Sequence, residues 1–547
     1  MKEQLDEMKN KTFLRSSIVM LCAAFLLALW SVRANVAAQP AATPAATENA
    51  ILTHVDVPTV NWQDVSSYKK AMKQSHAADV DQFVDANRYV INATLSFPGD
   101  AVIQGGERVR YTNHSSDTLN NIVFRLYPNA PALDGHMDVA NVTVNGQAAQ
   151  PSLSDDNSVM SVPLAQPLAP NQAAELTMDF DVIMQKDLNV AYGRFGYLEN
   201  VVSGTAWYPT LSVYEQGSGW WHSLPDPNGD PAYTESGLYD VHLTVPAGVT
   251  AVMSGKEIET STNGDDSITY HGVTGPMRDH AFMASQRYTI TPIDVDGTRI
   301  NIVHYKDNGT PSSSATDGTT STIKYVTQAF DTYSKTFGEY PFAEYNVVEN
   351  PTPTGVEFPG LTQIAEQAWS TNARFLEILI AHETGHQWFY SLVGNNQVEH
   401  PWLDESITSY VEIVYTRTVY KSDTATNNYI NHFKAEYTAY LALGKDLPLD
   451  LPVYDYSGMA YGAIVYAKGP LFFVMLDQQL GIDTVYKALS TYFKSYEYKV
   501  ATTPDVEKTF EDVTGKDLSA EFQKWVTGTN QSPTEAATQM PMALGSW

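Results

Sequence analysis

The feature that most constrains this chain is His382-Glu383-Thr384-Gly385-His386, followed after eighteen residues by Glu405. Two histidines four apart in an α-helix sit one turn above each other on the same face. Their imidazoles can then meet one metal ion, while Glu383 between them faces the water such an ion binds. Phe375, Ile378 and Leu379 precede His382 at helical spacing and Phe389 follows His386, which puts the histidines on an inward, apolar stripe. Thr371 or Asn372 can cap the start of this helix, and Gly394 marks its expected stop. The interval to Glu405 is long enough to turn at Gly394-Asn395-Asn396 and begin a second helix. Residues Asp404 to Val419 contain no Gly or Pro and carry Ile407, Tyr410, Val411 and Val414, which predicts that helix. A carboxylate near its start completes a two-histidine, one-glutamate zinc site with an open fourth position. Ordinary core histidines explain a bare H-E-x-x-H equally well; the third ligand at this spacing decides against them.

At 547 residues the chain has material for two to four domains, and 43% apolar residues suffice for sizeable cores. The formal charge is 33 minus 62, or −29, spread along the chain. That excess excludes nucleic acid as a partner, because phosphates need Lys and Arg to displace their counterions. The single cysteine, Cys22, lies in the thirteen-residue apolar run Ile18 to Trp30, which follows Lys9, Lys11 and Arg15. The run is short for a membrane span and suits a signal-peptide core, with small residues for cleavage at Val32-Arg33-Ala34 or Val36-Ala37-Ala38. An uncleaved anchor through residues 18–30 is the alternative. Either way the expected location is extracytoplasmic, secreted or membrane-attached.

Residues 1–37 are therefore assigned to a signal peptide or anchor, and 38–86 to an Ala/Pro/Thr-rich linker and extension, in which Tyr68 to Val84 can form a short helix. From Asn87 the texture alternates. Tyr89 to Leu95, Arg108 to Tyr111, Ile122 to Leu126, Val139 to Val144, Ala174 to Val182 and Tyr239 to Val245 read as strands separated by turn residues. Many short strands of this kind predict an antiparallel, sandwich-like β-domain over 87–293. The aromatic cluster Trp207-Tyr208-Pro209 and Gly219-Trp220-Trp221 is read as core and loop packing rather than a sugar or peptide groove. After residue 294 strands and helices mix: a strand over Arg299 to Tyr305, a helix from Thr322 to Phe337, a strand at Tyr345 to Val348, the metal helices, and a helix over Val465 to Leu480. This is an α/β domain over 294–530, and 531–547 form a polar tail.

In these residues the chain resembles the zinc peptidase family of aminopeptidase N and leukotriene hydrolase over about residues 87–530. The zinc signature with Glu405 is similar to that family's, as is Trp402-Leu403-Asp404-Glu405. Tyr461 to Gly469 looks like its Tyr-x-x-x-x-Tyr-x-Lys-Gly stretch, and Thr354-Gly355-Val356-Glu357-Phe358 stands where the family has G-x-M-E-N. The resemblance implies one Zn2+ per chain held by His382, His386 and Glu405, and a thermolysin-like catalytic domain after the β-domain. Glu383 is then the general base and Tyr466 the donor to the tetrahedral intermediate. Gly355, Val356 and Glu357 would bind substrate, with Glu357 taking the free α-amine of a peptide. Thr354, Val356 and Phe358 depart from the family pattern around that glutamate. Glu412, seven residues beyond Glu405, returns to the same helix face and can orient a zinc histidine; His400 is expected in a loop.

Together these readings give a multidomain α+β zinc metallopeptidase acting on peptides or proteins, first of all as an aminopeptidase. Endopeptidase or non-peptide hydrolysis at the same site and an inactive scaffold are the rivals. Only about sixty-six residues (547 minus 481) follow Gly481, so the large C-terminal helical domain of well-known relatives is expected to be absent and the cleft open.

Overall fold

Alternating burial organises the first half of the chain. In Leu238–Val245, Val241, Leu243 and Val245 point inward while Asp240, His242 and Thr244 are half-buried, the period-two signature of a strand with one covered face. The computed structural model describes residues 52–186, 194–306, 318–371 and 373–528. The expected signal or anchor segment, the linker as far as residue 51, the cap Asn372 and the tail 531–547 lie outside the described residues.

An eight-stranded sheet runs in the order Lys256–Thr262, Ile268–Val273, Leu238–Val245, Arg88–Ser96, Ala101–Thr112, Ala173–Met184, His136–Val144 and Gln147–Ala148. A smaller sheet containing Leu119–Arg125 and Val159–Leu168 faces it. Ile91, Ile103, Leu176, Phe180 and Val241 meet Ile122, Phe124, Met160 and Val162 between them. Each such side chain contributes roughly 1.5–3 kcal/mol by leaving water. Trp207 and Tyr208 are wholly buried in this core, and Trp221 is buried in a separate small cluster with Val213, Tyr233 and Val398, as read from the sequence. One pairing departs from the antiparallel expectation: Arg88–Ser96 runs parallel to Leu238–Val245. Alternation specifies which face is buried, not which strand lies alongside.

A second sheet has the order Tyr288–Val295, Thr298–Tyr305, Glu344–Asn350, Leu361–Ala365 and Val356–Phe358, the last on the edge. Tyr288–Val295 forms a hairpin with Thr298–Tyr305, so the two β-systems divide before Tyr288 rather than at 293/294. Strand texture is the same on both sides of that point, and only pairing separates them.

The predicted helices appear as Gly318–Thr336, Ala373–Gly385, Trp402–Tyr420 and Gly469–Leu480. The first metal helix stops at Gly385 instead of running toward Gly394. Its end tightens into bonds from Gln387 N to Thr384 O and from Trp388 N to Gly385 O, because Trp388 turns inward and its indole donates to Gly338 O at 2.9 Å. Val465 to Lys468 belong to a π-helical turn, Gly462–Lys468, before the α-helix resumes.

The segment before Asn87 does more than link. Tyr68–Ala71 and Gln74–Phe83 are two 3-10 segments rather than one helix. Val65, Tyr68, Ala71, Met72 and Val80 enter the same apolar cluster as Phe330, Tyr340 and Phe342, and Lys73 N donates to Pro341 O at 2.8 Å. Beyond Leu480 the described helices Ile482–Tyr496 and Thr503–Thr514 add Leu489, Tyr492, Val506 and Phe510 to that cluster. No large helical domain follows among the described residues.

Candidate metal centre

Three atoms converge where the two metal helices cross. His382 Nε2 and His386 Nε2 are 3.1 Å apart, and Glu405 Oε2 is 3.2 Å from the first and 3.3 Å from the second. Tetrahedral zinc with bonds of about 2.0–2.1 Å needs ligand atoms roughly 3.3–3.4 Å apart, so these residues fit the ion. The other ring nitrogens are already engaged. His382 Nδ1 lies 2.6 Å from Glu412 Oε1, and His386 Nδ1 lies 3.1 Å from Phe389 O. With Nδ1–H donating to those oxygens, each Nε2 is left as a lone pair facing the others.

Electrostatics point the same way. Glu357, Glu383, Glu405 and Glu412 are all buried around the two imidazoles. Burial alone would lower the proton affinity of His382, but hydrogen bonds and charge from Glu405 and Glu412 outweigh it and raise it well above the ordinary value. Burial likewise opposes a charge on His386, yet Glu357 and Glu405 lift it to about 9. The centre is short of positive charge, the condition a divalent cation relieves.

Glu383 stands beside the triad with Oε2 sealed from solvent and without a protein partner. Burial, reinforced by Glu357 against the pull of His382, pushes its carboxyl up to about 8. Gly355 passes directly over it: a Cβ there would sit 2.2 Å from Glu383 Oε1. Val356 and Glu357 follow on the edge strand, both buried. Glu357, Glu383 and His386 bring ligand-type atoms within 4.8 Å of one another.

Tyr466 lies over His382, ring centroids 6.0 Å apart at 29°. Burial first, then Glu405, raises its hydroxyl far above the ordinary value, so it stays protonated. The π-turn presents it, and the rest of its motif holds the turn. Lys468 Nζ bonds Asp446 at 3.0 and 3.2 Å and Leu447 O at 2.6 Å. A Cβ on Gly469 would lie 2.1 Å from Ser406 Oγ, so only glycine lets this helix touch the one carrying Glu405. His400 is a loop residue, bonded to Asp450 at 2.7 Å.

The structure adds residues that sequence reasoning did not assign. Gln397 Nε2 donates to Glu357 Oε1 at 3.1 Å and to Asp404 Oδ2 at 2.6 Å. Arg194, from the β-domain, lies against Asp230 and 3.5 Å from Glu357 Oε2. Asp404 was visible beside Glu405 in the sequence; Arg194 and Asp230 belong to no motif and reach Glu357 only through the fold.

A two-histidine, one-glutamate centre with a buried carboxyl group beside it, set between a β-domain and a mixed sheet with helices, is the donor arrangement of gluzincin-type metal sites. Comparison with known proteins makes this specific. A peptidase family M1 domain matches residues 319–525. Aminopeptidase M1-A of Oryza sativa subsp. japonica is 22% identical over 306 residues, covering 53% of this chain and 34% of its own. Aminopeptidase N of Lactococcus lactis subsp. cremoris is 30% identical over 169 residues, covering 29% of this chain and 19% of its own. The chain thus spans about a third or less of the length of these curated relatives. The M1 zinc metallopeptidase of Deinococcus radiodurans superposes with a TM-score of 0.62 at 18% identity, covering 84% of this chain and 96% of that one. A variant of it bound to a Tyr-Ser-Ala substrate gives 0.61 at 19% identity, covering 82% and 95%. Residues 319–525 thus match a peptidase family M1 domain, and the described residues share the fold of the M1 zinc metallopeptidases of known structure.

Proposed function

We propose that the protein is a zinc-dependent peptidase that releases N-terminal residues from peptides. The observation that carries this reading is the convergence of His382 Nε2, His386 Nε2 and Glu405 Oε2 beside the unpaired carboxylate oxygen of Glu383. Zinc held there supplies Lewis acidity toward a carbonyl oxygen and makes water a nucleophile near neutral pH. Glu383 takes the proton of the attacking water and later delivers it to the leaving nitrogen. Tyr466, protonated throughout, donates to the carbonyl oxygen as negative charge develops there; such a donor is worth roughly 3 kcal/mol. Glu412 fixes the ring and tautomer of His382. Glu357, buried within the same cluster, receives the substrate's ammonium group in a charge-assisted contact.

Arg194 supports a second reading. Its guanidinium lies where that ammonium would have to compete for Glu357, which favours internal cleavage. The two separate in one assay: aminoacyl chromogenic substrates beside their N-acetylated forms, with and without a chelator. Turnover of free-amine substrates alone, lost with the chelator, supports the exopeptidase; equal turnover of both supports the endopeptidase. Glu383→Gln should abolish turnover while zinc stays bound, and near-normal rates in that variant would sink both readings.

The proposal extends to cleavage of peptides longer than dipeptides, and a sharp preference for dipeptides over longer peptides would contradict it. It also extends to an extracytoplasmic location, through the apolar run 18–30. Cell fractionation tests that part: recovery in the cytosol with residues 1–37 intact would refute it.

A further inference from the structure

Around Glu357 the β-domain supplies a cation and an anion of its own. Arg194 stands just before the strand Gly196–Leu198, and its carbonyl accepts a hydrogen bond from Ser203 Oγ at 3.0 Å. Ser203 Oγ in turn accepts from Gln363 Nε2 of the catalytic sheet at 2.7 Å, so the backbone of Arg194 is fixed across the two β-systems. Its guanidinium carbon lies 5.7 Å from the ring centroid of Phe358, within cation–π reach. Phe358 is one of the departures from the family pattern, and Arg194 is what packs on it. Asp230 follows a turn closed from Gly229 N to Asp226 O at 3.4 Å. Gly229 lets that turn settle on the catalytic domain, since a Cβ there would lie 2.9 Å from the Tyr461 hydroxyl and from Val453.

One guanidinium thus stands between two carboxylates. Arg194 Nη2 lies against Asp230 Oδ1 and 3.5 Å from Glu357 Oε2, and the three side chains are 5%, 12% and 4% exposed in that order. An N–H···O bond is made at about 2.7–3.2 Å, so Arg194 is paired with Asp230 and only near Glu357. Gln397 occupies Glu357 Oε1 at 3.1 Å. Asp404, the third carboxyl of the cluster, is answered by Gln397 at 2.6 Å and Asn395 at 3.0 Å. Glu357 Oε2 therefore has no hydrogen-bond donor among the described residues, which is what a substrate ammonium requires of its acceptor. We propose, on the exopeptidase reading, that Asp230 is the positioning residue behind this specificity: it holds Arg194 off Glu357 and so keeps Glu357 open to the ammonium group of a peptide's first residue. Without the charge of Asp230, the carboxylate left to the guanidinium is Glu357. A shift of less than about 1 Å brings the two into bonding distance, and an enclosed cation is too costly to leave unpaired. Arg194 would then fill the ammonium's place.

The experiment uses the zinc-loaded full chain with an aminoacyl p-nitroanilide and its N-acetylated form. Asp230→Asn keeps the shape of the side chain and removes its charge. The expected result is a KM for the free-amine substrate about tenfold or more above native, with the loss falling on KM rather than kcat and zinc content unchanged. Arg194→Met/Asp230→Asn removes the competitor together with its anchor, and its KM should return to within about threefold of native. A merely structural role for Asp230 would make the double variant worse than the single one. Asp230→Ser frees Arg194 equally and should behave as Asp230→Asn does, and melting curves establish that each variant is folded. A KM within about threefold of native in both single variants overturns the proposal, as does a double variant no better than Asp230→Asn. Equal turnover of both substrates by the native chain is a separate failure: it removes the exopeptidase reading and this role of Asp230 with it.

Discussion

Gly355→Ala tests the catalytic geometry with one methyl group. The new Cβ would lie 2.2 Å from Glu383 Oε1, 2.6 Å from Cδ and 2.7 Å from Cγ. Ordinary carbon–oxygen contact begins near 3.2 Å, so carboxylate and backbone must part by about 1 Å. Gly355 is not among the glycines with positive φ, so alanine can adopt its backbone and the effect is steric. Glu383 is buried and cannot withdraw freely; otherwise the backbone moves, carrying Val356 and Glu357 with it. A 1 Å misplacement of a catalytic group costs about a hundredfold in rate, or about 2.7 kcal/mol of barrier. The ligands His382, His386 and Glu405 are untouched, so zinc content should equal that of the native protein. The assay is kcat and KM on an aminoacyl chromogenic substrate, with metal analysis on the same preparation. A kcat within about threefold of native at full zinc occupancy would refute the assignment of Glu383 as a base held in place beneath Gly355.

Glu412→Gln keeps the shape of the carboxylate but removes its charge beside His382 Nδ1, and zinc affinity should fall roughly 10–100-fold; competition with a fluorescent chelator measures it, and unchanged affinity removes Glu412 from the centre. Lys468→Met strands the buried carboxylate of Asp446 and should cost about 3–5 kcal/mol, most of it recovered in Lys468→Met/Asp446→Leu; a single variant within about 1 kcal/mol of native in urea would contradict this. His280 is buried with both ring nitrogens unpaired, and burial holds it down to about 3 against an ordinary 6.5. A depressed histidine contributes stability that is fully present above 6.5 and lost as pH falls toward 3, at most roughly 4–5 kcal/mol. His280→Leu should therefore be less acid-sensitive than the native protein between pH 6.5 and 4, and parallel stability–pH curves would rule this out.

The convergence of His382, His386 and Glu405 was legible because their relation is local. A spacing of four on a helix puts His382 above His386 whatever surrounds them, and a helix starting near Asp404 brings Glu405 into range. Tyr466 and Glu357 needed more: motif resemblance named them, while the π-turn, the Lys468 anchor and the edge position of Val356–Phe358 appear only in the folded chain. The parallel partner of Arg88–Ser96, the division before Tyr288 and the docking of Val65 to Val80 were hidden for a common reason. Period and composition say which face of an element is apolar, and many partners can cover such a face.

By itself, then, the sequence brought His382, His386 and Glu405 within reach of one another and set a β-rich half before a mixed α/β half, since backbone periodicity acts over a few residues. Tertiary structure alone decided that Arg194 and Gln397 meet Glu357 and that Gly355 roofs Glu383. Those contacts join residues up to 163 positions apart (357 minus 194), and the free energy that selects them is shared among whole packed surfaces rather than written in any short stretch.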